Sequence, residues 1–111
     1  MLDTPLIFLP ASNAMEVRQL LNDHSIDYYG VAACSIGVPE ILSLLKGLKD
    51  AKLWSAFASV LTSWLARKSS RKVKIIYQDG RVVEESYEGF DVEEIGKLRR
   101  SIEQVHLQDD N

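Results

Sequence analysis

The tightest constraint on this chain lies at Val73–Tyr87, where Asp79-Gly80 separates two β-rich runs. Such a pair between strands is the signature of a two-residue hairpin loop in a type I′ turn, whose two central residues take positive φ. A two-residue loop also sets the register. Tyr77 then faces Val82, Ile76 faces Val83 and Lys74 faces Glu85. Two apolar pairs and one opposite-charge pair agree with this alignment, each adding about 0.2–1 kcal/mol. The expected core-facing set is Val73, Ile75, Tyr77 and Val82. Ile76 and Val83 are left on the other face, where a helix, a second subunit or a partner has to cover them.

Helices are expected around this hairpin. Leu53, Phe57, Val60, Leu61, Trp64 and Leu65 recur at three- and four-residue spacing, the mark of an amphipathic helix. Phe57 and Trp64 share its buried face. Asp91 caps a last helix whose stripe is Val92, Ile95, Leu98, Ile102 and Val105, with residues 107–111 as a polar tail. Towards the N-terminus, Pro5–Leu9 reads as a strand ended by Pro10. Ser12 or Asn13, with Glu16, suits the capping box of a helix carrying Val17, Leu20 and Leu21. Ile26–Cys34 reads as a second strand. Gly37-Val38-Pro39 opens another helix, with Ile41, Leu42, Leu44, Leu45 and Leu48 on its apolar face. The expected order is β-α-β-α-α-β-β-α. That makes a small single α+β domain over residues 1–111, with a mixed sheet of about four strands packed by helices.

Composition narrows the function. A chain of 111 residues has room for one domain, and a net charge of −3 with a pI near 5.3 gives no global pull towards nucleic acid or anionic lipid. One cysteine, Cys34, excludes an internal disulfide and a thiolate metal cage. Together with the lack of a signal-peptide pattern, it points to the cytoplasm. The uncharged stretch from Leu53 to Ala66 is shorter than the ~20 residues that a membrane span needs.

Residues able to carry chemistry are few. His24, His106 and Cys34 are the only imidazoles and thiol, and Cys34 lies in an apolar run where thiols are inert. The neighbours Glu84 and Glu85 alternate across a strand, and Glu93 and Glu94 suit the positive end of a helix. No phosphate-binding loop, nucleophile elbow or zinc-protease motif occurs. The one departure from well-mixed charge is basic: Arg67, Lys68, Arg71, Lys72 and Lys74, at the junction between the long helix and the hairpin. This cluster suits a solvated helix C-terminus, the reading that the lack of a strongly basic overall balance favours; as a contact for phosphate or an acidic partner it would be compact, with Tyr77 and Tyr87 nearby.

Residues 56–98 carry a family resemblance. An apolar helix ends in Ser63-Trp64-Leu65-Ala66-Arg67-Lys68. A basic link follows, then the strand Lys72-Val73-Lys74-Ile75-Ile76-Tyr77, the Asp79-Gly80 turn, a glutamate-rich strand and an acidic-capped helix. This order resembles the effector-associated constant component family of bacterial biological-conflict systems. The resemblance implies a non-enzymatic adaptor or regulator encoded beside variable effectors and a regulatory NTPase, without catalytic residues or a cofactor. The expected partner is another protein or a second copy of the chain. Two alternatives are a nucleic-acid or nucleotide-binding module using Arg67, Lys68, Arg71, Lys72 and Lys74, and a small enzyme using Cys34.

Overall fold

Burial of apolar side chains against one face of a sheet organises the chain. The structure, a computed structural model, describes residues 5–32, 40–45, 47–48 and 50–109. Among these residues six strands form one mixed sheet: β1 (Leu6–Leu9), β2 (Tyr28–Ala32), β3 (Glu40–Leu44), β4 (Arg71–Tyr77), β5 (Val82–Glu85) and β6 (Ile102–Asp109). Three α-helices accompany them: α1 (Ala14–Asp23), α2 (Ala51–Ala66) and α3 (Val92–Gly96). Across the sheet the strands run β2-β3-β1-β6-β4-β5. Only β1 and β6 pair in parallel; every other neighbouring pair is antiparallel. A small α+β domain with a mixed sheet is therefore observed, and among the described residues no helix is long and apolar enough to cross a membrane.

The register assigns a face to each side chain. Leu42, Ile7, Val105, Ile75 and Val83 lie in one cross-strand row, and Leu107 and Val73 in the next inward-facing one. All of these except Val83 are buried, and Val83 is half-buried against them. The intervening row runs Ile41, Phe8, His106, Lys74, Glu84 and points the other way, half-buried or exposed. The helices lie on the first side. Trp64, Phe57, Leu61 and Leu65 of α2 are fully buried there, as expected from their spacing. Gly96 brings α3 close enough to α2 that a Cβ would stand 2.7 Å from the Trp54 indole nitrogen.

Four expectations are corrected. Glu40–Leu44 is strand β3, not a helix, because it pairs with both β1 and β2. The helix-opening residues Gly37, Val38 and Pro39 lie outside the described residues, as does Cys34. The last helix, capped as expected by the Asp91 carboxylate on the Glu93 and Glu94 amides at 3.1 Å, stops at Gly96. After a 3₁₀ turn at Arg99–Ser101, residues 102–109 form β6 at the centre of the sheet in place of a helical stripe and tail. The order is thus β-α-β-β-α-β-β-α-β, with six strands rather than about four.

The fourth correction is the hairpin register. The Gly80 amide donates to the Tyr77 carbonyl and the Tyr77 amide to the Arg81 carbonyl, both at 2.9 Å. The loop is therefore Gln78-Asp79-Gly80, a three-residue turn closed by a left-handed glycine, with Gly80 at φ +92°. Asp79 does not share that conformation. Its carboxylate instead accepts from the Arg81 amide at 3.0 Å and pairs with the Arg81 guanidinium, which holds it below the usual carboxylate range. Ile76 consequently faces Val82, Ile75 faces Val83 and Lys74 faces Glu84. One residue of slip exchanges faces: Val83 turns inward, whereas Val82, expected in the core, is 52% exposed.

Space around Gly80 is open, so backbone strain alone penalises substitution there. Gly80→Val is expected to lose about 1–3 kcal/mol in urea unfolding, with Gly80→Asn close to wild type. Trp64→Ala, which empties the centre of the core, is expected to lose about 3–5 kcal/mol in the same measurement.

Candidate interaction surface at the helix–hairpin junction

The basic cluster begins where α2 ends. A helix C-terminus leaves carbonyls without intrahelical donors and carries partial negative charge, so cations gather there. Here one of them is drawn inside. Arg71 opens β4 on the inward-facing row, directly opposite Asp109 of β6, and is only 3% exposed. Its guanidinium donates to Asp109 through Nε (3.2 Å) and to the Trp64 carbonyl at the end of α2 (2.9 Å). It also donates to Asn13 Oδ1 (2.9 Å) and, bidentately, to Glu16 of α1 (2.6 and 3.0 Å). All five donors of the fork are used. The same group lies 4.6 Å above the centre of the Trp64 ring.

The site explains a feature at the start of α1. Asn13 occupies the N-cap position, yet its side chain makes no capping bond; its carbonyl oxygen is committed to Arg71. Glu16 sits in the first turn of α1, where a carboxylate is favoured, and accepts from Arg67 as well (2.7 Å). The hydrogen bond from Arg71 holds the Glu16 carboxyl below its ordinary range against the opposing effect of burial, with Arg67 adding to the lowering. Arg71 is raised in turn, chiefly by its bond to Glu16.

The five basic residues thus separate into three environments. Arg71 is internal. Arg67 and Lys68, about half exposed, stand at the rim, paired with Glu16 and, at 3.9 Å, with Asp109. Lys68 also borders a depression of about 350 Å³ with Ser69, Ser86 and the exposed Tyr87. Lys72 and Lys74 point to the opposite, helix-free side of the sheet, Lys72 lying 3.9 Å from Glu84.

That side carries a surface of which the hairpin pattern anticipated Ile76 alone. Phe8 and His106, register partners on β1 and β6, stack with ring centroids 4.2 Å apart and planes within 1° of parallel. Ile41 flanks Phe8, while Lys74 and Glu84 extend the row from His106. Ile76 and Val82 form the adjacent apolar pair. Burial, and then the Lys74 charge, push the His106 imidazole below its ordinary range and so favour the neutral ring. Its Nε2 lies 2.8 Å from Gln104 Oε1. His24 is spent locally, with Nδ1 2.9 Å from the Leu20 carbonyl at the end of α1. The two histidines therefore serve different elements. Comparison with known protein families, curated proteins and solved structures finds no match.

The Glu16–Arg71 pair has a pH signature. Because the folded state lowers the Glu16 pKa, its stabilisation is complete above the unfolded value and is lost as pH falls through the folded one. Unfolding free energy measured from neutral pH down through the carboxylate range should fall less steeply in Glu16→Gln than in wild type. Arg71→Met removes the buried partner of Glu16 and Asp109 and is expected to lose about 3–5 kcal/mol at neutral pH.

Proposed function

We propose that this chain is a non-enzymatic protein-interaction component, an adaptor working beside a variable effector and a regulatory NTPase of a bacterial conflict system. One observation carries the reading. The sheet has helices on a single side among the described residues. The other side presents the half-buried Phe8, Ile41 and Ile76 and the exposed Val82, with Lys72 and Lys74 at their margin. Antiparallel sheets tolerate one solvated face when that face is polar. A row of large apolar side chains on it is the mark of a surface that another macromolecule covers. Mixed apolar and cationic character suits a protein partner with an apolar centre and an acidic rim. The order of helix, basic link, hairpin and acidic-capped helix supports the assignment to conflict systems.

The decisive experiment is co-purification with the effector-like and NTPase proteins encoded beside this gene, combined with light scattering of the isolated chain. Reversing Arg71 would unfold the protein, so the informative charge variant is Lys72→Glu/Lys74→Glu, and the informative apolar variant is Ile76→Ser. Both are expected to keep the wild-type circular dichroism and to lose most of the captured partner. Undiminished capture by both, or a locus encoding neither kind of neighbour, overturns the proposal.

A further inference from the structure

Beyond that surface, the far edge of the hairpin combines two features that point to one kind of ligand. The first is an open strand edge. β5 ends the sheet, and no described strand pairs with its outer side. The Tyr77–Arg81 bond fixes the ladder's alternation, so the inward-turned backbone groups of β5 belong to Arg81, Val83 and Glu85. The amides and carbonyls of Val82 and Glu84 therefore point away from β4, available to an added strand. The opposite edge is different: β2 carries an irregularity between Gly30 and Ala32, a common guard against strand addition. β5 pairs regularly along its length.

The second feature is a groove of about 410 Å³ between β5 and α3, on the helix side of the sheet. Tyr77 and Val83 form its sheet wall, Ile95 and Leu98 its other wall, and Glu85 and Glu94 stand at its margin. A strand laid along β5 alternates its side chains, so every second one enters this groove while its neighbours lie beside Val82 and Glu84.

Charge selects the occupant. Residues 82–96 hold six carboxylates and no lysine or arginine; Arg81, the cation that lines the groove, is paired with Asp79 at 2.7 Å. The pairs that two of them make, Lys97 with Glu94 at 3.3 Å and Lys72 with Glu84 at 3.9 Å, are exposed and exchange readily. Glutamates on an edge strand ordinarily guard against pairing between identical edges. Here a second copy docking β5 against β5 would bring two such acidic segments together, and the other open edge, β2, has no cation to offer. A foreign segment with an apolar residue flanked at two-residue spacing by cations meets no such barrier.

We propose that the β5–α3 groove binds an extended segment of another protein by strand addition, with an apolar side chain in the groove and, two residues to either side on the same face, lysines or arginines against Glu85 and Glu94. This does not depend on the helix-free face, which lies on the other side of the sheet. The test uses a fluorescein-labelled peptide of about nine residues, with a central valine, lysines at every second position to either side of it and threonines between, the reach of one long strand. Fluorescence anisotropy should show saturable binding, with amide shifts centred on Val82–Glu85 and Leu98. Glu85→Gln/Glu94→Gln should weaken it by about tenfold. N-methylation of alternate peptide amides, tested on the wild-type chain, should abolish it, because the ladder cannot form. Ile76→Ser, on the other face, should leave it unchanged. Absence of binding, equal binding of the N-methylated peptide, undiminished binding by the glutamine variant, or shifts centred on Ile76 and His106 would each overturn the proposal.

Discussion

One buried guanidinium ties this fold together. Arg71 reaches the first turn of α1, the Trp64 carbonyl in the last turn of α2 and the strand partner Asp109, three places far apart in the chain. A buried charge is costly unless every donor is satisfied, and here the fork geometry satisfies all of them at once. Lysine could not: three donors on a point charge match neither the bidentate Glu16 contact nor the stacking on Trp64. The indole contributes through its face. Its own Nε1 is buried without a hydrogen-bond partner among the described residues, so this ring serves as apolar bulk and cation platform. The ion cluster also joins the helical layer to the sheet where β4 and β6 meet, the junction from which the hairpin projects.

From that anchor the asymmetry of the molecule follows. All three helices lie on the Arg71 side, so the hairpin's inward residues are settled by burial and its outward ones are not. The three-residue turn then decides which residues are which. Had the loop been two residues long, Val82 would have faced the core and Val83 the open side; the slip reverses them. Val83 in consequence lines the groove against α3, and Val82 joins Ile76 outside. A conformational preference of one glycine thereby sets the chemistry of two surfaces.

Much of this architecture was legible in local patterns. The hairpin strands, the α2 stripe and the Asp91 cap follow from side chains that act on near neighbours. Two elements were not legible, for definable reasons. Ile41, Leu42, Leu44 and Leu45 fit helical spacing as well as strand burial, and pairing on both sides of β3 overrides leucine's helix preference. In β6 an irregularity opposite Ile76 and Tyr77 puts Ile102 and Val105, three apart, both in the core, which imitates a helical stripe. The basic cluster was visible as composition, but its division was not. Arg71's acidic partners lie 55 and 38 residues away, and only the tertiary fold shows that they take it inside.

That division changes what the net charge means. Read as a string, the chain has a basic junction followed by an acidic stretch, and the two largely cancel. In three dimensions the cancellation is local and uneven. Glu16 and Asp109 answer Arg67, Lys68 and Arg71 within the fold, so the junction projects little field of its own. Among the described residues the carboxylates of residues 84–94 pair with no buried cation, and the cations paired with two of them, Lys72 and Lys97, are held only through exposed contacts. The field that the molecule shows to solvent is therefore concentrated at the hairpin's outer edge. Salt screens such a field within about 10 Å, a distance comparable to the width of two strands. It acts on whatever docks at β5 and hardly on whatever docks at Phe8 and Ile41. The two proposed surfaces consequently differ in the charge they offer, one apolar with a cationic margin and the other lined by carboxylates along an open strand.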